Sequence, residues 1–280
     1  MKLVVIGNCQ ARPLAARLAT APGVRVADPI ILHLAKEEDE AAHAEAIGGA
    51  DLILAQATAD NFRPRHLASN TLRADYPRKV VVWPNIFYAG QQPFLRYLTH
   101  LETGRVAGPF DVYHDLRFLA LWRAERGLGP AAPNLDAEMR FARDVAQESL
   151  VALRTREADC DVGVADLVEE SASERRCFYT FNHPAGWLLG SLATRLAARI
   201  DLPRLPPPPD GWEPLGRIVP PGLLLTREHA ALQAMAFRVY DAAAPLLADP
   251  KLLRTTPTFA ADAAWLDGCY TEREANQCPV

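Results

Sequence analysis

KLVVI at 2–6 carries a short, mostly β-branched apolar run, Leu3 to Ile6, closed by Gly7, the pattern of a buried strand. ARPLAARLAT follows at 11–20, with Leu14 and Leu18 one helical turn apart and Pro13 at a position the first turn tolerates. The spacing therefore predicts strand, tight turn and helix in immediate succession. The motif recurs along the chain. VRVADPIIL (24–32) is strand-like, AKEEDEAAHAEAIGG (35–49) is a charged amphipathic helix, and DLILAQ (51–56) is a buried strand. PRHLASNTLRADY (64–76) reads as a helix or turn, and KVVVWPN (79–85) as the last strand of the set. Strands alternating with helices imply βαβ units, a parallel sheet and right-handed crossovers.

From Gln91 to about Ser171 apolar positions recur three and four apart in FLRYLTHLETG (94–104), DVYHDLRFLALWRAERG (111–127) and DAEMRFARDVAQESLVALRTREAD (136–159), which predicts a helical insertion forming a cap. RRCFYTF (175–181) then reads as a strand, and NHPAGWLLGSLATRLAARI (182–200) as a helix whose start is marked by Asn182, His183 and Pro184. LPRLPPPPDGWEPLGRIVPPG (202–222) holds too much proline for a helix or central strand and is expected to run extended. TREHAALQAMAFRVYDAAAPLLA (226–248) is a final helix. The resulting expectation is an α/β fold: a small parallel sheet with flanking helices over residues 1–202, carrying a helical insertion at about 91–171. A proline-rich connector at 203–222 and a helical segment at 223–280 packed on the core complete it.

Composition narrows the function classes. A chain of 280 residues that is 49% hydrophobic can bury a sizeable core as one large domain or a domain with a subdomain. Its 30 basic and 34 acidic residues give a net charge of −4, so no broad positive footprint for nucleic acid or an anionic membrane is present. No apolar run approaches the roughly 20 residues that cross a bilayer, and the amino-terminal run is too short for a signal-peptide core. A cytoplasmic location is expected. Five scattered cysteines, Cys9, Cys160, Cys177, Cys269 and Cys278, form no CxxC pair, and the histidines form no HxH or HExxH, so neither a disulfide framework nor a metal site is indicated. GxGxxG and GxxxxGK[ST] are likewise missing. A small tyrosine-phosphatase loop would need a cysteine where Val5 stands.

In open parallel sheets ligands bind beyond the carboxyl ends of the strands, where helix N-termini aim N–H groups outward. Polar clusters fall at those predicted ends: Asn8, Cys9 and Gln10 after the first strand, Gln56 after DLILA, Asn85 after KVVVWP, and Asn182 with His183 after CFYTF. Cys9 stands at the start of a helix, where the dipole stabilises a thiolate, and is the candidate nucleophile. The other reading makes it a small hydrophobe filling a tight corner. His183 is the candidate base, kept neutral by its own helix N-terminus, with His114 in DVYHDL as the alternative. Asn8, Gln10 and Asn85 carry amides able to hold a developing oxyanion, or simply to satisfy loop backbone. Arg12, Arg63 and Arg65 offer guanidinium groups for phosphate, and Tyr88 with Gly90 a flat apolar surface for a ligand.

Taken in order, VVIGNCQ, DLILAQ with FRP, WPNIFYAGQQP, VYHD and FYTFNHPAGW resemble the WcbI-type family of capsule polysaccharide biosynthesis over about the first 200 residues. More distantly, Gly7, Asn8 and Cys9 resemble the first block of the SGNH hydrolases, with Cys in place of Ser and Asn85 near their Asn block. Phe181 and Thr180 stand where that pattern has the acid before its histidine, so a dyad rather than a triad is implied. The resemblance implies an SGNH- or flavodoxin-like core that binds coenzyme A or acetyl-CoA as substrate and acetylates a sugar of a surface polysaccharide. Gly7, Arg12, Gln56, Arg63 and Tyr88 would contact the cofactor, and Cys9 and His183 would carry the transfer, either through an acyl-cysteine or by orienting direct attack. A thioesterase or carbohydrate esterase using the same dyad, and a non-catalytic coenzyme A or glycan binding subunit, are the alternatives.

Overall fold

The computed structural model of the protein describes residues 1–216 and 230–267. In chain order the elements are β1 (Lys2–Gly7), α1 (Ala11–Leu18), β2 (Arg25–Val26), β3 (Ile30–Ile31), α2 (Glu40–Gly48), β4 (Leu52–Gln56), α3 (Ser69–Asp75) and β5 (Val80–Trp83). They continue as β6 (Leu95–His100), β7 (Gly104–Arg105), β8 (His114–Asp115), α4 (Leu116–Glu125), α5 (Leu135–Glu157) and α6 (Ala165–Ser171). The last are β9 (Phe178–Thr180), β10 (His183–Pro184), α7 (Gly186–Arg199), α8 (Ala230–Ala242), α9 (Ala244–Leu247), β11 (Leu253–Thr256) and α10 (Ala260–Leu266). The chain divides into two compact units, Met1–Phe87 with Leu150–Arg217 and Tyr88–Ser149 with Ile218–Val280, so far as the described residues go.

The first unit is built on the expected parallel sheet, in the order β2-β1-β4-β5, with β3 also on β1. VRVADPIIL gives two short strands rather than one because Pro29 has no N–H to donate to the ladder. Val4 and Ile6 of β1 and Ile53 and Ala55 of β4 bury one face with Ile47, Leu67 and Leu72. Strand alternation sends the neighbouring residues to the other face, where α1 lies on β1 and against α7. The outer edge of β5 is closed by Asp161, whose carboxylate accepts the Val82 N–H at 2.7 Å while Arg73 and Arg199 hold it. The proline-rich stretch runs without helix or strand through its described part and is tied down by Arg17, which donates to the Pro206 carbonyl.

Two expectations for this unit are corrected. CFYTF does not join the parallel sheet: among the described residues β9 pairs with β10, antiparallel, in a two-stranded hairpin. His183 therefore sits in a strand of that hairpin and not on the helix N-terminus. That terminus, at Gly186, is occupied by the Glu213 carboxylate, which accepts the Gly186 N–H at 2.6 Å. The dipole argument for a neutral His183 accordingly falls.

The second unit holds an antiparallel sheet in which β6 pairs with β11, β7 and β8. FLRYLTHLETG is thus a strand and not a helix. The three-residue spacing of Leu95, Leu98 and Leu101 suggests a helix, but Leu101 is exposed, and beyond the buried Leu95 that opens the strand the buried residues Arg96, Leu98 and His100 follow a period of two. Arg96, with no exposed surface, meets Asp262 through two hydrogen bonds of 2.9 and 3.0 Å, the bidentate geometry a buried ion pair requires. DVYHDL is also no helix at its histidine. His114 lies in β8, and α4 begins after Asp115, whose carboxylate caps the Arg117 N–H. Cys269, Cys278 and part of the predicted connector and tail lie outside the described residues.

His114 is fully buried, its Nε2 donating to the Val106 carbonyl at 3.1 Å and its ring stacked on Tyr240. Burial pushes its pKa down to about 4, with Arg105 adding to the effect against the Val106 bond. It is a core histidine of the second unit, and its candidacy as base is withdrawn. The unfolded chain takes up this proton near 6.5, so between 6.5 and about 4 the unfolded state binds more protons and stability falls with falling pH. From pH 7 to pH 5 this group removes about 2 kcal/mol of stability. Urea unfolding at both pH values checks it: His114→Gln, which keeps a donor for Val106, should show a loss smaller by that amount.

Candidate functional site

β1, β4 and β5 are adjacent and parallel, with Ile6 beside Ala55 and Gln56 beside Trp83, so their carboxyl ends lie along one edge. Gly7 closes β1 because a Cβ there would lie 2.5 Å from the indole ring of Trp83, which is itself buried and donates to the Leu54 carbonyl. Gly7 is thus required by packing under the loop. Asn8 then makes an Asx turn: its Oδ1 accepts the Gln10 N–H at 2.9 Å, and its carbonyl accepts the Ala11 N–H that opens α1. Cys9, half-buried, is carried between these two fixed residues at the helix start.

Gln10 and Gln56 are both buried, and their polar atoms are spent on the loops. Gln10 Nε2 donates to the Ile86 carbonyl at 2.6 Å and to the Asn182 carbonyl at 3.1 Å, while its Oε1 accepts from Gln56 Nε2 and the Ile86 N–H. Gln56 Oε1 accepts the Asn8 N–H at 2.9 Å. Both hydrogens of the Gln10 amide are therefore committed, and this residue is a brace and not an oxyanion donor. Gln56, expected to touch a cofactor, holds the Cys9 loop from below.

Asn85 differs. Because Asn8 Oδ1 is taken by its own turn, Asn8 presents Nδ2, which donates to Asn85 Oδ1 at 3.0 Å. This orientation leaves the Nδ2 donors of half-buried Asn85 with no hydrogen-bond partner among the described residues. Arg156, which sequence reasoning missed, fixes the turn from the other side: Nε donates to the Asn85 carbonyl at 3.1 Å, Nη2 to the Phe87 carbonyl at 2.8 Å, and the guanidinium stacks 3.3 Å from the Phe87 ring centre. Its burial lowers its pKa to about 10, still well above neutrality. The signal was only an arginine at the end of a long amphipathic helix.

His183 is buried, and its Nδ1 lies 2.7 Å from Thr180 Oγ1. The bond from Gln10 to the Asn182 carbonyl joins the hairpin turn that precedes His183 to the loop that carries Cys9. Arg12, in the first turn of α1, and Arg63, after β4, are exposed and make no ion pair among the described residues. Arg65 is likewise exposed, its backbone N–H bonded to Glu37. Tyr88 belongs to the second unit, buried, with its ring where any side chain on Gly90 would have to go. It therefore offers no open flat surface. Cys160 and Cys177 have thiols pushed up to about 11, by burial first in both cases. No group of three or more metal-ligating side chains is found among the described residues.

The sequence model of the polysaccharide biosynthesis enzyme WcbI matches residues 2–205 of this chain. Among solved structures, one described as native WcbI, a polysaccharide biosynthesis enzyme, without a disulfide bond between coenzyme A and one of its cysteines, has a TM-score of 0.65 and 18% sequence identity. The alignment covers 96% of this chain and 97% of that one, which establishes a common fold. Curated protein sequences give no match.

If Gln10 ties three loops together, Gln10→Ala removes the donors to two carbonyls and should cost roughly 2–4 kcal/mol. Arg12→Ala, on the exposed face, should stay within about 0.5 kcal/mol. Urea unfolding of both variants beside the parent compares them directly, and a Gln10→Ala protein of parental stability would show that the brace contributes nothing.

Proposed function

Since the chain belongs to the WcbI family of polysaccharide biosynthesis enzymes, we propose that it is a coenzyme A-dependent acyltransferase that O-acetylates a sugar of a capsular or other surface polysaccharide in the cytoplasm. The observation that carries this reading is the Gln10 bridge, which ties the Cys9 loop to the turn beside His183. The solved WcbI structure described with reference to a bond between coenzyme A and a cysteine supports it.

In this reading His183 takes the Cys9 proton and the thiolate attacks the carbonyl carbon of the acyl-CoA thioester. Asn85 Nδ2, with the Asn8 amide beside it, donates to the oxygen that gains charge. The tetrahedral species collapses with loss of the coenzyme A thiolate, which recovers the proton from His183, and an acyl-cysteine remains. His183 then removes a proton from a sugar hydroxyl, whose oxygen attacks the acyl carbon and expels Cys9. The guanidinium groups of Arg12 and Arg63, exposed and without an ion pair among the described residues, hold the pyrophosphate, with Arg12 in the first turn of α1.

Cys9→Ala should lower acetyl transfer by roughly a thousandfold or more while coenzyme A still gives a saturable rise in melting temperature. The double variant Arg12→Ala, Arg63→Ala should weaken that saturable shift by about tenfold or more. Normal transfer by Cys9→Ala would refute the nucleophile. Acetate release indifferent to added glycan would identify a thioesterase or esterase, and saturable binding without any turnover, with slow alkylation of Cys9, a binding subunit.

A further inference from the structure

Arg156 commits only one edge of its guanidinium. The group carries five N–H hydrogens in a plane, and one on Nε and one on Nη2 reach the Asn85 and Phe87 carbonyls. These two form the side edge of the fork. The hydrogens of the outer edge, on Nη1 and the far side of Nη2, make no hydrogen bond among the described residues, and Nη1 keeps surface open to solvent. The charge is equally uncommitted. Arg96 and Arg117, which are also withdrawn from water, each meet an aspartate, whereas half-buried Arg156 makes no ion pair among the described residues. The acid that acts on it, Glu157, spends its oxygens on the Val164 and Ala165 N–H groups of α6.

A cation that has lost part of its hydration and has no counter-ion gains from an anion more than a fully solvated one does. From this arrangement we propose that the outer edge of the Arg156 guanidinium is a subsite for an oxyanion, a carboxylate, phosphate or sulfate, carried by the acceptor sugar. Its two parallel N–H groups match two oxygens of such a group. The stack on Phe87 and the two carbonyls on the side edge hold the plane in place before any ligand arrives. That the acceptor brings the anion rests on the transfer reaction proposed above. Arg156 Nε is 3.1 Å from the carbonyl of Asn85, whose side-chain amide serves the thioester oxygen in that reading. The long pantetheine arm keeps the phosphates of coenzyme A away from its thioester, and an acetyl group has no charge. The acceptor is then the component able to place an anion beside this turn, which selects an acidic sugar over a neutral one.

Phenylglyoxal modification of arginine in the full-length protein, mapped by peptide mass spectrometry, reads the subsite without any transfer. Arg156 should be modified in the free protein and protected in a saturable manner by glucuronate, with glucose giving no protection. Equal modification with and without glucuronate would overturn the proposal, and protection by coenzyme A but not by glucuronate would overturn the assignment to the acceptor. In the transfer assay the parent should favour a glucuronate-containing oligosaccharide over its neutral counterpart by roughly 10- to 100-fold in kcat/KM, and Arg156→Gln should bring that ratio close to one. A residue that only braces the turn would, when replaced, weaken both acceptors together and leave the parental ratio, which would also overturn the subsite. Should Arg156→Gln not fold, the modification pattern of the parent still decides. Absence of transfer with either acceptor would sink the acyltransferase reading, while protection of Arg156 by glucuronate would uphold the anion subsite.

Discussion

The geometry of the candidate site depends on one buried carboxamide. Gln10 has no exposed surface, so every polar atom it carries has to find a partner inside the protein or cost several kcal/mol of lost hydration. It finds them at three separate places: the turn after β5, the side chain that ends β4, and the hairpin turn before His183. An apolar residue of similar size would fill the space but would not select which carbonyls come together. The amide does, because its two donors and one acceptor fit a single arrangement of these backbones. The penalty for leaving any of them unmet is what makes the arrangement specific.

From that point orientation is passed along a chain of amides. The α1 turn claims Asn8 Oδ1, so Asn8 can only donate onward. Asn85 must then accept, and its own donors are left without a hydrogen-bond partner among the described residues. Arg156 fixes the backbone of the same turn through two carbonyls and an aromatic face, so that Asn85 is held by its side chain and by its main chain independently. A polar group that is to stabilise charge without reorganising gains from such double fixation. Below it, the Trp83 indole fills the space that the missing side chain of Gly7 leaves, which keeps the floor of the loop apolar and closely packed.

Much of this was legible in the amino-acid sequence, for reasons that are local. Parallel strands buried on both faces read as continuous apolar runs, and β1, β4 and β5 announce themselves that way; the polar residues after each run then have to lie on one edge. Regions that depend on long-range pairing were read less well. β6 carries leucines at three-residue spacing whose burial is decided by β11, more than 150 residues later, and a histidine in DVYHDL takes strand geometry from its pairing with β6. The sequence pattern puts Gln10 and Gln56 at strand ends near the cysteine and offers them as an oxyanion donor and a cofactor contact. Their role as braces follows from burial, which no local pattern encodes.

The two strand-to-helix corners illustrate why similar sequence signals acquire different chemistry. Asn-Cys-Gln before α1 and Asn-His-Pro before α7 look alike, each a polar turn leading into a helix whose first amides lack intrahelical acceptors. At α7 the Glu213 carboxylate, delivered by the chain after the helix, takes the Gly186 N–H and neutralises the positive end of the dipole. At α1 no acidic residue occupies the first turn and only the neutral Asn8 amide oxygen meets the N-cap N–H, while Arg12 adds a full positive charge without a counter-ion among the described residues. Negative charge is therefore stabilised at α1 and opposed at α7. Under the proposed reading this divides the labour: the Cys9 corner can favour a thiolate and a neighbouring pyrophosphate at once, while the helix end beside His183 is already filled by the Glu213 carboxylate. A nucleophile and a base need opposite electrostatic surroundings, and a single carboxylate placed after α7 is enough to make the two corners differ in that sense.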